Sequence, residues 1–446
     1  MKIAVVGGGP GALYFAISAK LRDAGHEITI LERDQPGATY GWGVVYWDDL
    51  LDTLYVNDSE SARKLRAASV LWQQQEVRLR RERTAYYPGY GYSVGRAAML
   101  DILARRASDL GVDIRYRHEV DDLSAFADAD VVVGADGASS RVRQLHGGFG
   151  TTTTSGANPY IWLGTDKVFD SFVFAFQETP AGLVWCHAYP SSSGISTFIV
   201  ECQQRTWDGL GFGTMSSEDG VRTLEKIFAD VLGGGSLISE SRGRPARWLH
   251  FAEVRNAHWY QDNVVLLGDA AHTTHFTIGS GTRLAIIDAI DLAQALYEHP
   301  ESVPLALREY EKQRRRPMNR SQAAARSSMA WYEHADRYTD RDGVAFAAAM
   351  AARQGPLPPW RHQVHNAEQL APVRTVHRWY ETGRRFYLAR KRGEPLRSPA
   401  PRSAPEPPAA EVPDQHARTT TPWRAQSAEP ERLVGASARR DGRAGK

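Results

Sequence analysis

The chain opens with a short unbroken apolar run, KIAVV at 2–6, followed by glycines and then by apolar residues at Leu13, Ala16, Ile17 and Leu21. The run reads as a strand buried on both faces, and the spacing after it as a helix ending near Gly25. EITILER at 27–33 is a second apolar run, so the chain starts as a strand–helix–strand unit. Residues 34–95 read as loops and short helices. MLDILARRASDLG at 99–111 reads as a helix stopped at Gly111, and DIRYRHEV and ADVVVGADG as strands. From 158 to 201 the pattern changes. SFVFAFQET, GLVWCHAYP and STFIVEC alternate between Gly, Ser and Pro turns, which predicts an antiparallel sheet. RTLEKIFADVLGGG at 222–235 is a helix with a glycine stop. NVVLLGDAA then returns to the buried-strand pattern before another helix, and 304–353 read as helical with Arg-rich faces.

The chain has 446 residues, 42% of them hydrophobic, and a net charge of +2. That is ample core for more than one domain and gives no global reason to expect nucleic acid as a partner. Cys186 and Cys202 are the two cysteines and form no CxxC pair, so neither a dithiol centre nor a zinc site is expected. MKIAVVGGGPG enters a strand without a signal-peptide pattern, and no apolar run approaches the ~20 residues of a membrane helix. The expectation is a cytoplasmic protein, monomer or homodimer, with no membrane partner and no metal.

Three glycine-bearing motifs carry the chemistry. Gly7-Gly8-Gly9-Pro10-Gly11-Ala12 lies between the first strand and its helix. Gly7 permits the turn, Gly9 admits a pyrophosphate, and Ala12 lets helix and strand approach. Free N–H groups at the helix start favour phosphate. Glu32, followed by Arg33, ends the second strand, where a carboxylate accepts from an adenosine ribose. The second motif is Gly134-Ala135-Asp136-Gly137 with Ser140, Arg141 and Arg143. The third is LLGDAAHTTHFTIGSGT at 266–282. There Gly268-Asp269 leaves a strand with a carboxylate suited to a polyol, and Gly279-Ser280-Gly281-Thr282 opens a helix whose amides and dipole suit a ring that becomes anionic on reduction. Adenosine, pyrophosphate, ribityl chain and ring together make FAD.

With these motifs in order, the chain resembles the single-component FAD-dependent aromatic hydroxylases, the group A flavoprotein monooxygenases, over roughly residues 1–350. The turn Tyr40-Gly41-Trp42-Gly43-Val44-Val45 and the segment NPYIWLGTDKVFDSFVFAFQET resemble the branch holding salicylyl-CoA 5-hydroxylase, anthraniloyl-CoA monooxygenase and the tryptophan-derivative hydroxylase of violacein synthesis. The resemblance implies an α/β fold: a Rossmann-like FAD-binding domain at 1–155 and 248–300, with a β-rich substrate domain inserted at 156–247. C-terminal helices would follow at 301–393 and a disordered Pro/Ala/Arg-rich tail at 394–446. It adds Arg96, Gly43 and Val44 to the FAD-contacting residues. Two departures stand out: Phe276 replaces a proline usual beside the flavin, and the similarity fades after about Gln354.

The implied reaction is reduction of non-covalent FAD by a transient NAD(P)H, then transfer of OH from a flavin C4a-hydroperoxide, formed with dioxygen, to an electron-rich ring. That ring is expected on an aryl-CoA thioester or an indole/tryptophan-like compound. The alternatives are a flavin-dependent dehydrogenase or oxidase and a non-catalytic FAD-fold binding protein. A flavin halogenase would carry GWxWxIP, which GWGVVYW does not match. His187 and Tyr189 share a strand face with Trp185 and are candidates for polarising the substrate, or else ordinary residues of a half-exposed sheet. Tyr46, His275, Trp42 and Phe276 are candidates for the pocket wall. His272 reads as a structural part of its turn. RLRRER and Arg314-Arg315-Arg316 read as solvated helix faces, with CoA phosphates as the alternative.

Overall fold

The computed structural model describes residues 1–394 except 40, 81, 242 and 356–357, so all but the first residue of the expected tail lies outside the described residues. The first apolar runs form a six-stranded sheet in the order Tyr260–Gln261, Val264–Leu266, Val131–Gly134, Lys2–Val6, Glu27–Glu32, Asp113–Tyr116. All neighbours are parallel except the first pair. Ile3, Val5, Ile30, Val131, Val133 and Val265 are buried, which explains the lack of alternation in these runs. The helix Pro10–Arg22 begins on proline, which donates no N–H and suits the first helical position. Because the strands are parallel, their carboxyl ends deliver Gly7, Arg33, Ala135 and Leu267 to one edge of the sheet. That edge is where an open α/β sheet binds its ligand.

The alternating segments form the larger part of an eight-stranded sheet. Thr151–Thr165, Ser196–Cys202, Gly182–Pro190 and Phe172–Thr179 run antiparallel in that order. Trp248–Asn256 pairs with the first of them, so the sheet reaches across both expected boundaries at 156 and 248. Gln75–Leu79 adds in parallel to Phe172–Thr179, and Ala85–Tyr87 follows it. Gly43–Tyr46, Gly91–Gly95 and Val70–Trp72 make a third small sheet. These five strands lie where loops and short helices were expected. Each is three to five residues long, and all but Ala85–Tyr87 pair with more distant chain, so local pattern says little about them.

The larger sheet is covered on both faces. Trp207, Phe212, Leu224 and Phe228 belong to the core on one side, and Trp331, Tyr332 and Phe346 to the core on the other. His187 and Tyr189 are therefore only 3% and 4% exposed, and the half-exposed reading of their strand is wrong. The long helix Val303–Glu333 and the helix Gly343–Ala351 supply that second cover, as the 304–353 periodicity predicts. RLRRER is not a helix: Arg78 sits in Gln75–Leu79, and Arg80 turns the chain with φ +51°, while Arg81 lies outside the described residues. No described helix is long and apolar enough to cross a membrane.

Candidate active site

A groove of about 500 Å³ runs along the carboxyl ends of the parallel strands, lined by Gly7, Gly9, Glu32, Arg33, Asp136 and Gly137. Gly7 has φ +103°, and a Cβ there would lie 2.5 Å from the carbonyl oxygen of Ala135, so this crossing of two loops admits only glycine. Gly9 has open space where a Cβ would be, leaving its backbone approachable. The Glu32 carboxylate accepts from Gly8 N at 2.5 Å and from Asp34 N at 2.8 Å. Asp136 accepts from Arg141 N at 2.6 Å and Val142 N at 3.1 Å through Oδ2, while its buried Oδ1 has no partner. Pro10, Gly11 and Ala12, expected to bind the cofactor, do not line the groove. They are buried, and a Cβ on Gly11 would lie 2.6 Å from the Leu267 side chain and 3.3 Å from that of Ala285. Gly11 lets the first helix pack closely against Gly281–Glu298.

A second space of about 770 Å³ meets the groove at Arg96, Ala138, Ser139 and Leu249, which line both. Arg96 has no carboxylate within ion-pair distance among the described residues. Burial pushes its pKa down, opposed by Asp269. Asp269 is exposed to the cavity yet surrounded by protein, and this desolvation raises its pKa against the pull of His272 and Arg96. Gly279 has φ +63°, and a Cβ there would press on Trp47 and Val45 at 3.2 Å. Gly281 has no neighbour within 4 Å of that position and starts an 18-residue helix without a side-chain cap. An uncapped helix start, an unpaired arginine, an orphaned carboxylate oxygen and glycines open to the space fit the phosphates, polyol and ring of FAD. Gly43, Val44, Ser280 and Thr282 also line this cavity; Gly268 is buried with φ +62° and turns the chain into Asp269.

Beneath the seam lies a buried ion network. His272 Nε2 is 2.8 Å from Asp288 Oδ2, and Arg314 Nε donates to Asp288 Oδ1 at 2.7 Å. Burial works to raise the Asp288 carboxyl, but His272 and Arg314 overcome it and hold it low. His272 is structural, as its sequence context implies. Arg314 is a correction: it is 6% exposed, not on a solvated face, because its partner lies on the adjacent helix. Arg315 pairs with Glu311 and covers the Trp259 ring.

The far end of the cavity is aromatic. Tyr160 and Phe276 have centroids 4.7 Å apart, and Phe172 stacks on Phe174 at 4.7 Å and on Tyr189 at 4.9 Å. His187 packs edge-on against Phe174 and Phe276. Burial lowers the His187 pKa and Glu201 opposes that shift. Tyr189 lines the wall, but its hydroxyl donates to Gly43 O at 2.9 Å, so it holds the Gly43 strand in place rather than facing a substrate as a free group.

Three expected wall residues are elsewhere. Tyr46 is in the core, stacked on Tyr92 and bonded to Ser69 Oγ at 2.6 Å; its neighbours Val45 and Trp47 line the cavity instead. His275 sits behind Phe276, with Nδ1 2.9 Å from Thr277 Oγ1, and burial lowers its pKa to about 4. Trp42 packs over Gly164, where a Cβ would come within 2.7 Å of its ring. Residues not foreseen include Tyr160 and Trp162, which share the parity of their strand, and Arg353, which follows the recognised similarity and had no signal.

A model of the FAD binding domain family matches residues 1–325. The chain belongs to this family. It is 40% identical over 348 residues to salicyloyl-CoA 5-hydroxylase of Streptomyces sp, covering 76% of this chain and 66% of that one, so it spans just under two thirds of that relative. It is 37% identical to 3-hydroxy-4-methyl-anthranilyl-[aryl-carrier protein] 5-monooxygenase of Streptosporangium sibiricum, covering 84% of this chain and 100% of the relative. Identity to protodeoxyviolaceinate monooxygenase of Chromobacterium violaceum is 29%, over 80% of this chain and 96% of that one. The fold matches that of 2-methyl-3-hydroxypyridine-5-carboxylic acid oxygenase with TM-score 0.58 at 20% identity, covering 80% and 93% of the two chains. The branch expected from the Gly41–Val45 turn is thus the branch found. The chain is an FAD-dependent monooxygenase; the dehydrogenase, oxidase and non-catalytic readings are not favoured.

Proposed function

We propose that this enzyme hydroxylates an electron-rich aromatic ring held as a thioester, on CoA or on a carrier protein. The observation that carries the proposal is the continuity of the strand-end groove with a cavity of about 770 Å³ whose far wall is Tyr160, Phe172, Phe174 and Phe276. Gly7, Gly9, Glu32, Arg33, Asp136 and Gly137 would hold the adenosine and diphosphate of FAD. Arg96, Asp269, Gly43, Val44 and Gly279–Thr282 would hold its polyol and ring. Bound there, FAD would supply NAD(P)H-dependent activation of dioxygen. The chain's own part is to press the substrate ring flat between aromatic walls, exclude water and present His187 to a ring hydroxyl or amine. Two relatives with thioester-linked substrates in their names support that linkage. Monomeric or homodimeric assembly and a cytoplasmic location complete the proposal.

The test is aerobic NAD(P)H oxidation by the FAD-loaded protein with free aromatic acids, their CoA thioesters and indole compounds in parallel. Thioesters are expected to stimulate oxidation and yield a product heavier by one oxygen atom. Stimulation by free acids or indoles alone would displace the thioester reading. Stimulated oxidation with no hydroxylated product from any compound would displace hydroxylation itself.

A further inference from the structure

Glu201 is 1% exposed and sits on the strand beside His187, behind the aromatic wall. Its Oε1 accepts from Asn158 Nδ2 at 2.8 Å and its Oε2 from Trp185 Nε1 at 3.1 Å. No Lys or Arg pairs with it among the described residues. The one ionisable group within ion-pair range is His187, whose Nε2 lies 3.8 Å from Oε2. That separation is too long for a hydrogen bond, and Nε2 is buried without a partner. A buried carboxylate held by neutral donors is costly unless a positive charge arrives beside it. His187 lines the cavity and is where such a charge can form.

We infer that Glu201 is a positioning residue for His187, holding its Nε2–H toward the protein so that Nδ1 is left to take a proton from a ring hydroxyl or amine in the cavity. The inference rests on the proposed aromatic hydroxylation. The step balances: the ring O–H or N–H bond breaks, its proton goes to Nδ1, and the electron pair stays on the ring, making the carbon that accepts oxygen more nucleophilic. The imidazolium gains the Glu201 charge as its counter-ion. When the hydroxylated ring gives up its displaced hydrogen as a proton, which neutralises the oxyanion left on the oxygen donor, the ring becomes aromatic again and His187 returns its own proton to the ring oxygen or nitrogen. The division of labour is that of a base whose protonated form is favoured by the charge of a carboxylate 3.8 Å behind it.

Other groups facing His187 do not replace Glu201. Arg353, from the segment after Gly343–Ala351, bears a positive charge and opposes protonation. His275 is neutral above about pH 4, and its Nδ1 is engaged with Thr277. Tyr332, from the long helix, contacts the imidazole by its ring, and burial raises its phenol well above neutral pH. Phe174 and Phe276 offer no polar atom.

The test compares wild type, Glu201→Gln, His187→Gln and the double variant, each FAD-loaded, with a phenolic aryl thioester that the wild type hydroxylates. Glu201→Gln is expected to lower kcat roughly 100-fold at neutral pH with KM within about threefold, on the scale of a lost general base. Its kcat should recover as pH rises and the phenol ionises unaided. Difference absorbance on binding should show less phenolate than in wild type at the same pH. In the His187→Gln background the second substitution should add little, since the two act as a unit. An unchanged pH limb, or an equal loss from Glu201→Gln with and without His187, would overturn the inference. If Glu201→Gln does not fold, Glu201→Asp withdraws the carboxylate and keeps the charge. The same limb should shift by less, and an unshifted limb there overturns it too. A wild type that hydroxylates no aromatic compound would bring down the functional reading instead.

Discussion

The groove and the cavity share Arg96 and a seam of loops, yet they are built in opposite ways. The groove is backbone. Its shape depends on Gly7 at φ +103°, Gly137 at φ +85° and the ends of parallel strands, with side chains such as Glu32 and Arg33 set at those ends. The cavity wall is side chain, contributed from Trp47, Phe172, His187, Phe276 and Arg353, which lie in five separate stretches of the sequence. A backbone site is set by local conformation and leaves a motif; a side-chain site is set by distant pairing and leaves only parity. Defects in the groove should therefore cost cofactor, defects in the wall should cost substrate, and only the seam should cost both.

The largest expected effect is at that seam. Asp288→Asn leaves His272 buried without its counter-charge and Arg314 with only the more distant Asp291 at 3.5 Å, a loss of about 3–5 kcal/mol for a broken buried pair. Thermal unfolding should move down sharply and FAD and substrate binding should weaken together. If either survives unaltered, the two regions do not share this support.

His275 gives the next. Burial holds its folded pKa at about 4, below the unfolded value near 6.5, so the unfolded chain binds the proton more readily. Stability is complete above pH 6.5 and falls as pH drops toward 4, by about 3 kcal/mol for this group. Urea unfolding followed across that range should show the slope, and His275→Gln should flatten it. An unflattened slope would place the acid sensitivity elsewhere.

Gly7→Ala tests the backbone side. The added Cβ meets the Ala135 carbonyl at 2.5 Å in a left-handed conformation, a strain of about 2 kcal/mol, or roughly 30-fold in FAD affinity. Calorimetric titration of the apo-protein with FAD should show that loss, while KM for the aromatic substrate, measured with saturating FAD, stays put. Equal losses in both would erase the distinction between groove and wall.

Tyr46→Phe is the smallest. It removes the 2.6 Å bond to Ser69 and keeps the ring stacked on Tyr92, so about 1 kcal/mol of stability should go with kcat and KM unchanged. A changed kcat would return Tyr46 to the wall from which its burial removes it.

The same contrast explains what could be read in advance. Gly7, Glu32, Asp136, Asp269 and Gly279–Gly281 lie at strand ends and helix starts, where residue type and conformation are tied within a few positions. The face shared by Trp185, His187 and Tyr189 was legible from period two, but its burial depended on Trp331 and Phe346, more than 140 residues on. Tyr46 was misread because Gly43–Tyr46 is a strand whose partner, Gly91–Gly95, gives no local sign. Arg314 stood in a run of arginines that looks solvated, and only the fold brings Asp288 beneath it. Glu201 likewise passes for one polar residue in an alternating strand until its depth is known.

The most direct measurement is an anaerobic titration of the FAD-loaded protein with an aryl thioester, following the visible flavin band and the rate of its reduction by NAD(P)H. A ring bound against the flavin should perturb the band and speed reduction, and Phe276→Ala should weaken the titration without loss of bound FAD. A protein that retains no flavin, or a yellow one whose band and reduction rate ignore every aromatic ligand, would contradict the claim that groove and cavity form one site.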